Sequence, residues 1–253
     1  MRSIVRKLII ILFWVGLWAL ASAVIHKELL LPSPISVAMR IGSMIILPDF
    51  WRITVFSLLR ITTGICSATV LGILLAIITT HSLLLREVFS PILTVIKVTP
   101  VASFIILILI WIGRDFVPAV ISALMVLPVV CNNVSTGLRN IDPKLIQMAK
   151  VYNLPRSTRF VRITVPSVMP HFLSAMQTSI GIGWKAGIAA EVLTVPRLSI
   201  GKMIYESKMY METIDLFAWT IIVIAISLVI ERFMIFFFKR LGRKYNSEVS
   251  SHG

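Results

Sequence analysis

Residues 116–138 read FVPAVISALMVLPVVCNNVSTGL, a stretch without a single charged side chain. A helix needs about 20 predominantly apolar residues to cross the hydrocarbon core of a bilayer, which is about 30 Å thick. Pro128, Asn132 and Asn133 fit such a helix where neighbouring helices satisfy their polar groups. The stretch therefore predicts a transmembrane helix.

The rest of the chain has the same character. Of its 253 residues 57% are hydrophobic and 14% charged, with a mean hydropathy of +0.93, whereas soluble domains carry about 25% charged residues. Five more apolar segments are long enough to span a bilayer. They are residues 8–25, 53–79, 88–112, 171–195 and 214–238. We therefore predict an all-α integral membrane protein with about six transmembrane helices.

The order of these segments suggests three regions. Residues 1–52 hold the first transmembrane helix and an extracytoplasmic interfacial segment, with a short amphipathic helix from Ser36 to Leu47 that Pro48 ends. Residues 53–238 form the transmembrane core, including a long basic segment at 139–170, and residues 239–253 form a tail. Ala21-Ser22-Ala23 also resembles a signal-peptide cleavage site, but an uncleaved first helix is the simpler interpretation because the remaining chain stays apolar.

The positive charges predict the orientation. If the N-terminus is cytoplasmic, fourteen of the 25 lysines and arginines lie in cytoplasmic segments and seven in outer segments. Cytoplasmic loops carry the excess of Lys and Arg in membrane proteins. We expect a multi-pass protein of the cell membrane with both termini in the cytoplasm.

The sequence fits several other classes of protein poorly. The net charge of +14 lies in clusters between apolar runs, rather than as a patch on a soluble fold, so we expect no nucleic-acid partner. Two cysteines and four scattered histidines form no disulfide framework or metal motif. The acids within the spans are Glu191 and Glu231, with no histidine near either, so we expect no enzyme. A channel or secondary carrier stays open, although the chain lacks the internal repeat that is frequent in carriers.

The basic segment contains a predicted helical hairpin. Asp142 suits an N-cap and Pro143 the first helical position, while Asn153 tolerates the left-handed conformation that ends a helix. Apolar side chains recur on one helix face at Leu145, Met148, Ala149 and Tyr152. Such a stripe suits either lipid headgroups or a groove in a partner protein.

This segment resembles the cytoplasmic loop of binding-protein-dependent ABC transporter permeases, in the nitrate/sulfonate/taurine-type branch. The family signature of Glu-Ala-Ala, a glycine and an apolar-Pro step corresponds here to Gln147-Met148-Ala149, Asn153 and Val165-Pro166. The resemblance covers about residues 30–235. It includes four further motifs: Leu31-Pro32-Ser33-Pro34, Ser57-Leu58-Leu59-Arg60, Ile141-Asp142-Pro143 and Ala190-Glu191-Val192-Leu193. Gln147 lacks the carboxylate of the signature, so we expect the docking role without a specific salt bridge to the usual partner.

The resemblance implies the partners. It implies a second copy of this chain, two cytoplasmic ATP-binding subunits and an extracytoplasmic solute-binding protein. ATP and Mg are expected on the ATP-binding subunit, because this chain has no phosphate-binding Gly-rich loop and needs no cofactor of its own. The residues expected to couple to the ATPase are Leu145, Gln147, Met148, Ala149, Tyr152, Asn153, Leu154 and Pro155.

Charged and helix-breaking residues within the spans are candidates for the solute pathway. Charged side chains inside a membrane usually face protein or a water-filled cavity, so we select Lys97, Pro100, Lys185 and Glu191, each with a purely structural role as the alternative. Two lysines suit a small sulfonate, nitrate, taurine or bicarbonate anion, but the same branch also moves thiamine-pyrimidine-like and riboflavin-like compounds. Small residues at 64, 68 and 72 and at 179, 183 and 187 predict close helix packing.

Overall fold

A computed structural model describes the backbone of residues 2–250 and the side chains of residues 5–6, 9–233 and 236. All regular structure in this part of the chain is helical. The helices are α1 (Arg2–Ile25), α2 (Pro34–Ile45), α3 (Pro48–His81), α4 (Leu83–Val98), α5 (Val101–Trp111), α6 (Val117–Arg139), α7 (Pro143–Val151), α8 (Arg156–Arg159), a π-helical turn (Phe160–Thr164), α9 (Val165–Thr194), α10 (Ile200–Met209) and α11 (Thr213–Ser250).

Helices cover the segments that were predicted to span the membrane, and the third segment is covered by two short helices, α4 and α5. Within the described residues, three are long and apolar enough to cross by length and composition, namely Pro48–His81, Val117–Arg139 and Thr213–Phe233. The pair α4 and α5 makes a fourth if it counts as one span. The chain is therefore a multi-pass helical membrane protein, while the number of six spans stays a prediction.

The predicted third span is broken at Pro100. Helices α4 and α5 meet at an angle of 109°, and both Thr99 (ψ 132°) and Pro100 (ψ 132°) have extended backbones. A proline disfavours the helical conformation for the residue before it and removes a backbone donor. Pro100 was selected from the sequence as a helix-breaking residue, and the span is broken there. The sequence did not predict so sharp a bend.

Helix α2 starts earlier than predicted. The side chain of Ser33 accepts a 3.0 Å hydrogen bond from the amide of Ser36, so Ser33 is the N-cap and Pro34 takes the first turn, where proline is favoured. Pro48, predicted to end this helix, instead begins α3. The helix was thus correctly predicted from the sequence, but its observed bounds lie two residues earlier than the predicted ones.

One compact unit comprises Met1–Leu58 and Glu191–Ile226. Aromatic side chains pack within it: Phe50 stacks on Trp219 with ring centroids 5.5 Å apart, and Trp18 stacks on Phe217 at 6.0 Å. Stacked aromatic pairs contribute beyond the apolar area they bury. These contacts join the beginnings of α3 and α11 and hold α1 beside α11.

A second compact unit comprises Leu59–Ala190 and Ser227–Gly253. Its apolar core is formed by buried residues of α5, α6 and α9, which are Ile105, Ile108, Val117, Ile121, Ala186 and Ala190. The predicted tail at 239–253 continues α11 as far as Ser250. Residues 251–253 of that tail lie outside the described residues.

Small residues bring α3, α6 and α9 close together in this second unit, as predicted. A Cβ added to Gly64 would collide with the backbone oxygen of Ala119, and one added to Gly72 would come within 2.9 Å of Val130. On α9, a Cβ at Gly187 would lie 2.5 Å from the Oγ of Ser122. The two small-residue ridges therefore pack against other helices, and the prediction is confirmed.

Candidate functional site

Helix α7 begins as its sequence predicted. The Oδ1 of Asp142 accepts a hydrogen bond of 2.8 Å from the amide of Lys144, and Pro143 occupies the first turn. An N-cap carboxylate satisfies one of the backbone donors that the first turn leaves unpaired. The beginning of the helix is thus fixed by its own local sequence.

A Schellman motif ends the same helix. Asn153 has a left-handed backbone with φ of 48°. The amide of Leu154 donates to the carbonyl of Ala149 at 3.0 Å, and the amide of Asn153 donates to the carbonyl of Lys150 at 3.1 Å. This pair of bonds defines the motif and satisfies the last carbonyls of a helix. Asparagine therefore keeps the bend at the position where the resembling family has glycine.

The apolar stripe of α7 is divided between the interior and the surface. Ala149 is buried, with 2% of its surface exposed, whereas Leu145 (37%), Met148 (43%) and Tyr152 (73%) are exposed. Of the remaining predicted coupling residues, Gln147, Asn153 and Pro155 are exposed and Leu154 is half-buried. The helix therefore packs on its own chain through a small residue and presents larger apolar side chains outward.

The second arm of the hairpin is continuous with the next long helix. After Pro155 the chain forms the single turn of α8, and the π-helical turn Phe160–Thr164 then joins it to α9 without a break at Pro166. A π-helical turn inserts one extra residue into a helix and occurs often at functional positions. The hairpin thus continues into the long helix α9, which extends to Thr194.

Lys97 lies in the last turn of α4, beside the C-terminal part of α6. Its side chain lines a polar cavity of about 180 Å³ together with Arg86 and Arg139. Sequence reasoning selected Lys97 but missed the other two, because each of them stands at the end of an apolar segment, where a basic residue is ordinary. Pro100 is exposed two residues beyond the end of α4.

Glu191 is fully buried and caps another helix. Its exposed fraction is 0%, and its Oε2 accepts hydrogen bonds from the Oγ of Ser57 (2.8 Å) and from the amide of Gly201 (3.1 Å). The Oγ of Ser57 in turn accepts from the amide of Ile200 at 2.9 Å. A carboxylate is stabilised at a helix N-terminus by the unpaired amides and the helix dipole. Glu191 and Ser57 thus fix the start of α10.

The remaining pathway candidate, Lys185, differs from Glu191 in its environment. Its side chain is exposed on α9, although Trp184 and Ala186 on either side are buried. The structure therefore leaves Lys97 and Lys185 accessible and encloses Glu191. Sequence reasoning missed the contribution of Ser57, because a serine in an apolar span gives no signal of a partner 134 positions away.

Comparisons with known proteins agree with these features. A family model described as a binding-protein-dependent transport system inner membrane component matches residues 68–246. SsuC of Bacillus subtilis (strain 168), named as an aliphatic sulfonates transport permease, is 23% identical over 98% of this chain and 88% of its own length. NrtB of Leptolyngbya laminosa, named as a nitrate import permease, is 29% identical over 62% of this chain and 56% of its own.

A solved structure shares the fold. It is a crystal structure of an amino acid ABC transporter with histidines, with a TM-score of 0.59 and 17% sequence identity. The match covers 75% of this chain and 91% of that one. The resemblance that the sequence motifs indicated is confirmed, both in the family and in the nitrate and sulfonate branch.

Proposed function

Because this chain belongs to the family of binding-protein-dependent transport system inner membrane components, a family of membrane permeases rather than enzymes, we propose that it forms the solute pathway of an ATP-driven importer. A solute-binding protein outside the membrane delivers the solute, and a separate pair of ATP-binding subunits supplies the energy. Two copies of this chain enclose the pathway. The solute is a sulfonate-, nitrate- or taurine-like anion, or alternatively a thiamine-pyrimidine-like compound.

The observation that carries this proposal is the exposed apolar face of α7. Leu145, Met148 and Tyr152 point away from the chain on a helix whose two ends are both locally capped. Apolar side chains at positions i, i+3 and i+7 of a short helix are the anchors that a groove in a partner protein recognises. We assign this face to the ATP-binding subunit, together with Gln147, Asn153, Leu154 and Pro155 around it.

The connection from α7 to α9 supports a role in coupling. Movement of the hairpin at 142–160 is transmitted to α9, because α8 and the π-helical turn continue into that helix. Gly183 and Gly187 of α9 pack closely against α3 and α6, so α9 tilts with its neighbours. In this mechanism ATPase closure moves the hairpin, and the pathway opens to one side of the membrane at a time.

The four pathway candidates divide by accessibility. We assign Lys97, Pro100 and Lys185 to the pathway, since their side chains are exposed. Glu191 is enclosed by its own chain, so a solute reaches it only if α10 moves away. We assign Glu191 a structural role instead, because its carboxylate accepts hydrogen bonds that fix the start of α10.

The experiment is purification of the tagged chain from native membranes in mild detergent, with mass spectrometry of the co-purifying proteins. We expect an ATP-binding subunit and a solute-binding protein. The double variant Leu145→Arg, Met148→Arg should lose the ATP-binding subunit and ATP-dependent uptake, because two charges replace the apolar anchors. Lys150→Gln, a change of charge on the same helix, should retain both.

Two outcomes contradict the proposal. Recovery of the wild-type chain without an ATPase in several detergents favours a channel or secondary carrier, with α7 lying on lipid headgroups. Unchanged uptake in the double variant excludes α7 as the coupling element.

A further inference from the structure

A polar cavity of about 180 Å³ lies among α4, the end of α3 and the C-terminal part of α6. Three cationic side chains line it: Arg86 from the beginning of α4, Lys97 from its end, and Arg139 from the end of α6. One water occupies about 30 Å³ in the liquid. The cavity therefore has room for a small oxyanion with some of its water.

Among the described residues, no carboxylate pairs with any of these three cations. No acidic residue of that part of the chain lines the cavity. Glu87, next to Arg86 in sequence, is not part of the lining. All three residues are partly exposed to solvent, which screens the repulsion between their charges, and an anion between them removes what remains of it.

The hydrogen-bonding groups of the lining match an anion as well. The Nε of Arg139 donates to the carbonyl of Ser135 at 3.2 Å, which holds the side chain and leaves its terminal nitrogens for a ligand. The hydroxyls of Thr79 and Thr94 donate to their own helices, at 2.7 Å and 2.8 Å. Ser90, Asn132 and Ser135 add neutral hydrogen-bonding groups to the lining, while the guanidinium groups of Arg86 and Arg139 are of the kind that binds oxyanions in paired hydrogen bonds.

We propose that this cavity binds one small oxyanion between Arg86, Lys97 and Arg139. The chemistry fits a sulfonate, sulfate or phosphate group, either of a free solute or of a lipid headgroup. If the ligand is free solute, the inference rests on the function proposed above and selects the anionic solutes over the pyrimidine-like ones. Because the proposed site is lined by this chain alone, binding of the oxyanion can be measured without ATP hydrolysis by a partner subunit.

The test measures the melting temperature of the full-length chain, purified with any co-purifying subunits, by tryptophan fluorescence in neutral detergent. Methanesulfonate is titrated at constant ionic strength, with uncharged dimethyl sulfone as the matched probe. We expect a saturable rise with methanesulfonate and none with the sulfone. Lys97→Gln and Arg139→Gln should each weaken the apparent affinity by about tenfold or more, as expected for loss of a charged hydrogen bond. Lys97→Arg should retain most of it.

Lys208→Gln is the matched control, because Lys208 is an exposed cation on α10 that does not line the cavity. It should bind methanesulfonate like the wild type. If Lys97→Gln does not purify, Arg86→Gln provides the same test. A rise of equal size in the wild type and in the cavity variants, or an equal rise with the sulfone, overturns the proposal for free solute.

A second measurement, made in lipid bilayers, distinguishes a free solute from a lipid headgroup as the source of the oxyanion. The same variants are melted in nanodiscs of phosphatidylcholine alone or with phosphatidylglycerol. Stabilisation by phosphatidylglycerol that requires Lys97 and Arg139, without a response to methanesulfonate, identifies a lipid headgroup as the oxyanion. If neither probe gives a response that depends on these residues, the cavity binds no oxyanion. That result leaves the importer proposal intact, since ATPase co-purification tests it separately.

Discussion

Ser57 donates a hydrogen bond of 2.8 Å to the fully buried carboxylate of Glu191, and together they cap the N-terminus of α10. The amide of Ile200 reaches the Ser57 Oγ at 2.9 Å, and the amide of Gly201 reaches the carboxylate at 3.1 Å. The Oγ of Ser199 accepts a hydrogen bond of 3.1 Å from the next amide, that of Lys202. Three successive backbone donors of α10 are thereby satisfied in the interior of one unit.

The first prediction concerns this cap. Glu191→Ala leaves the donors of Ser57 and Gly201 without an acceptor, and a buried unsatisfied donor costs roughly 1–3 kcal/mol. We expect a clear fall in melting temperature in detergent, with a smaller fall for Glu191→Gln, which keeps an acceptor. Glu206→Gln, on the partly exposed side of α10 beside Lys202, is the control and should melt like the wild type. Equal melting of Glu191→Ala and the wild type would show that the cap does not stabilise the protein.

The second prediction concerns helix packing at Gly64. A Cβ there meets the backbone oxygen of Ala119, which cannot move aside as a side chain does. Overpacking of this kind costs about 1–3 kcal/mol, so Gly64→Ala should lower the melting temperature and the yield. Gly181→Ala provides the comparison in another long helix, because a Cβ at Gly181 meets nothing within 4 Å. An unchanged melting temperature in Gly64→Ala would show that the close approach of α3 and α6 at this position does not limit stability.

The local features of α7 could be predicted from sequence because each depends on residues within one turn. The N-cap at Asp142 and the left-handed Asn153 are fixed by neighbouring backbone groups. The same holds for the ridges at Gly64 and Gly187, since small residues four apart on an apolar helix indicate close packing without identifying the partner.

The tertiary features could not be predicted in this way. The cap on α10 joins Ser57 to a residue 134 positions later, and no local pattern specifies that pairing. The cavity around Lys97 brings together side chains of α3, α4 and α6, and the bend of 109° at Pro100 is a separate tertiary feature. A proline predicts an interruption, but the bend angle depends on what the following helix packs against.

The third prediction tests the turn at Asn153. A β-branched residue pays about 1–2 kcal/mol to adopt a left-handed backbone, so Asn153→Val should open the turn after α7. We expect less co-purified ATP-binding subunit and faster proteolysis of the hairpin. Asn153→Gly, which tolerates this conformation, should keep both at the wild-type level. If the valine and glycine variants retain the same amount of ATP-binding subunit and are cleaved at the same rate, partner binding does not depend on the geometry of this turn.

The last prediction concerns Arg40 and Asp215, which join α2 to the beginning of α11. The Nε and Nη2 of Arg40 each donate to one carboxylate oxygen at 2.6 Å. The hydrogen bond with Asp215 raises the pKa of Arg40, and partial burial opposes this. A cation whose pKa is raised on folding adds stability at all pH values below its unfolded pKa, and loses it only as pH rises through the folded pKa. Arginine stays protonated in the accessible range, so the contribution should not change from neutral to mildly alkaline pH.

A double-mutant cycle of Arg40→Gln and Asp215→Asn, read as melting temperatures, measures this pair. Because both side chains keep some exposure to solvent, we expect a coupling energy of at most about 1 kcal/mol. It should decrease in high salt, which screens exposed charges, and it should be equal at neutral and mildly alkaline pH. Arg40→Lys should recover only part of the coupling, because a lysine cannot make two parallel hydrogen bonds to one carboxylate. Strictly additive effects of the two substitutions would show that this ion pair does not hold α2 to α11.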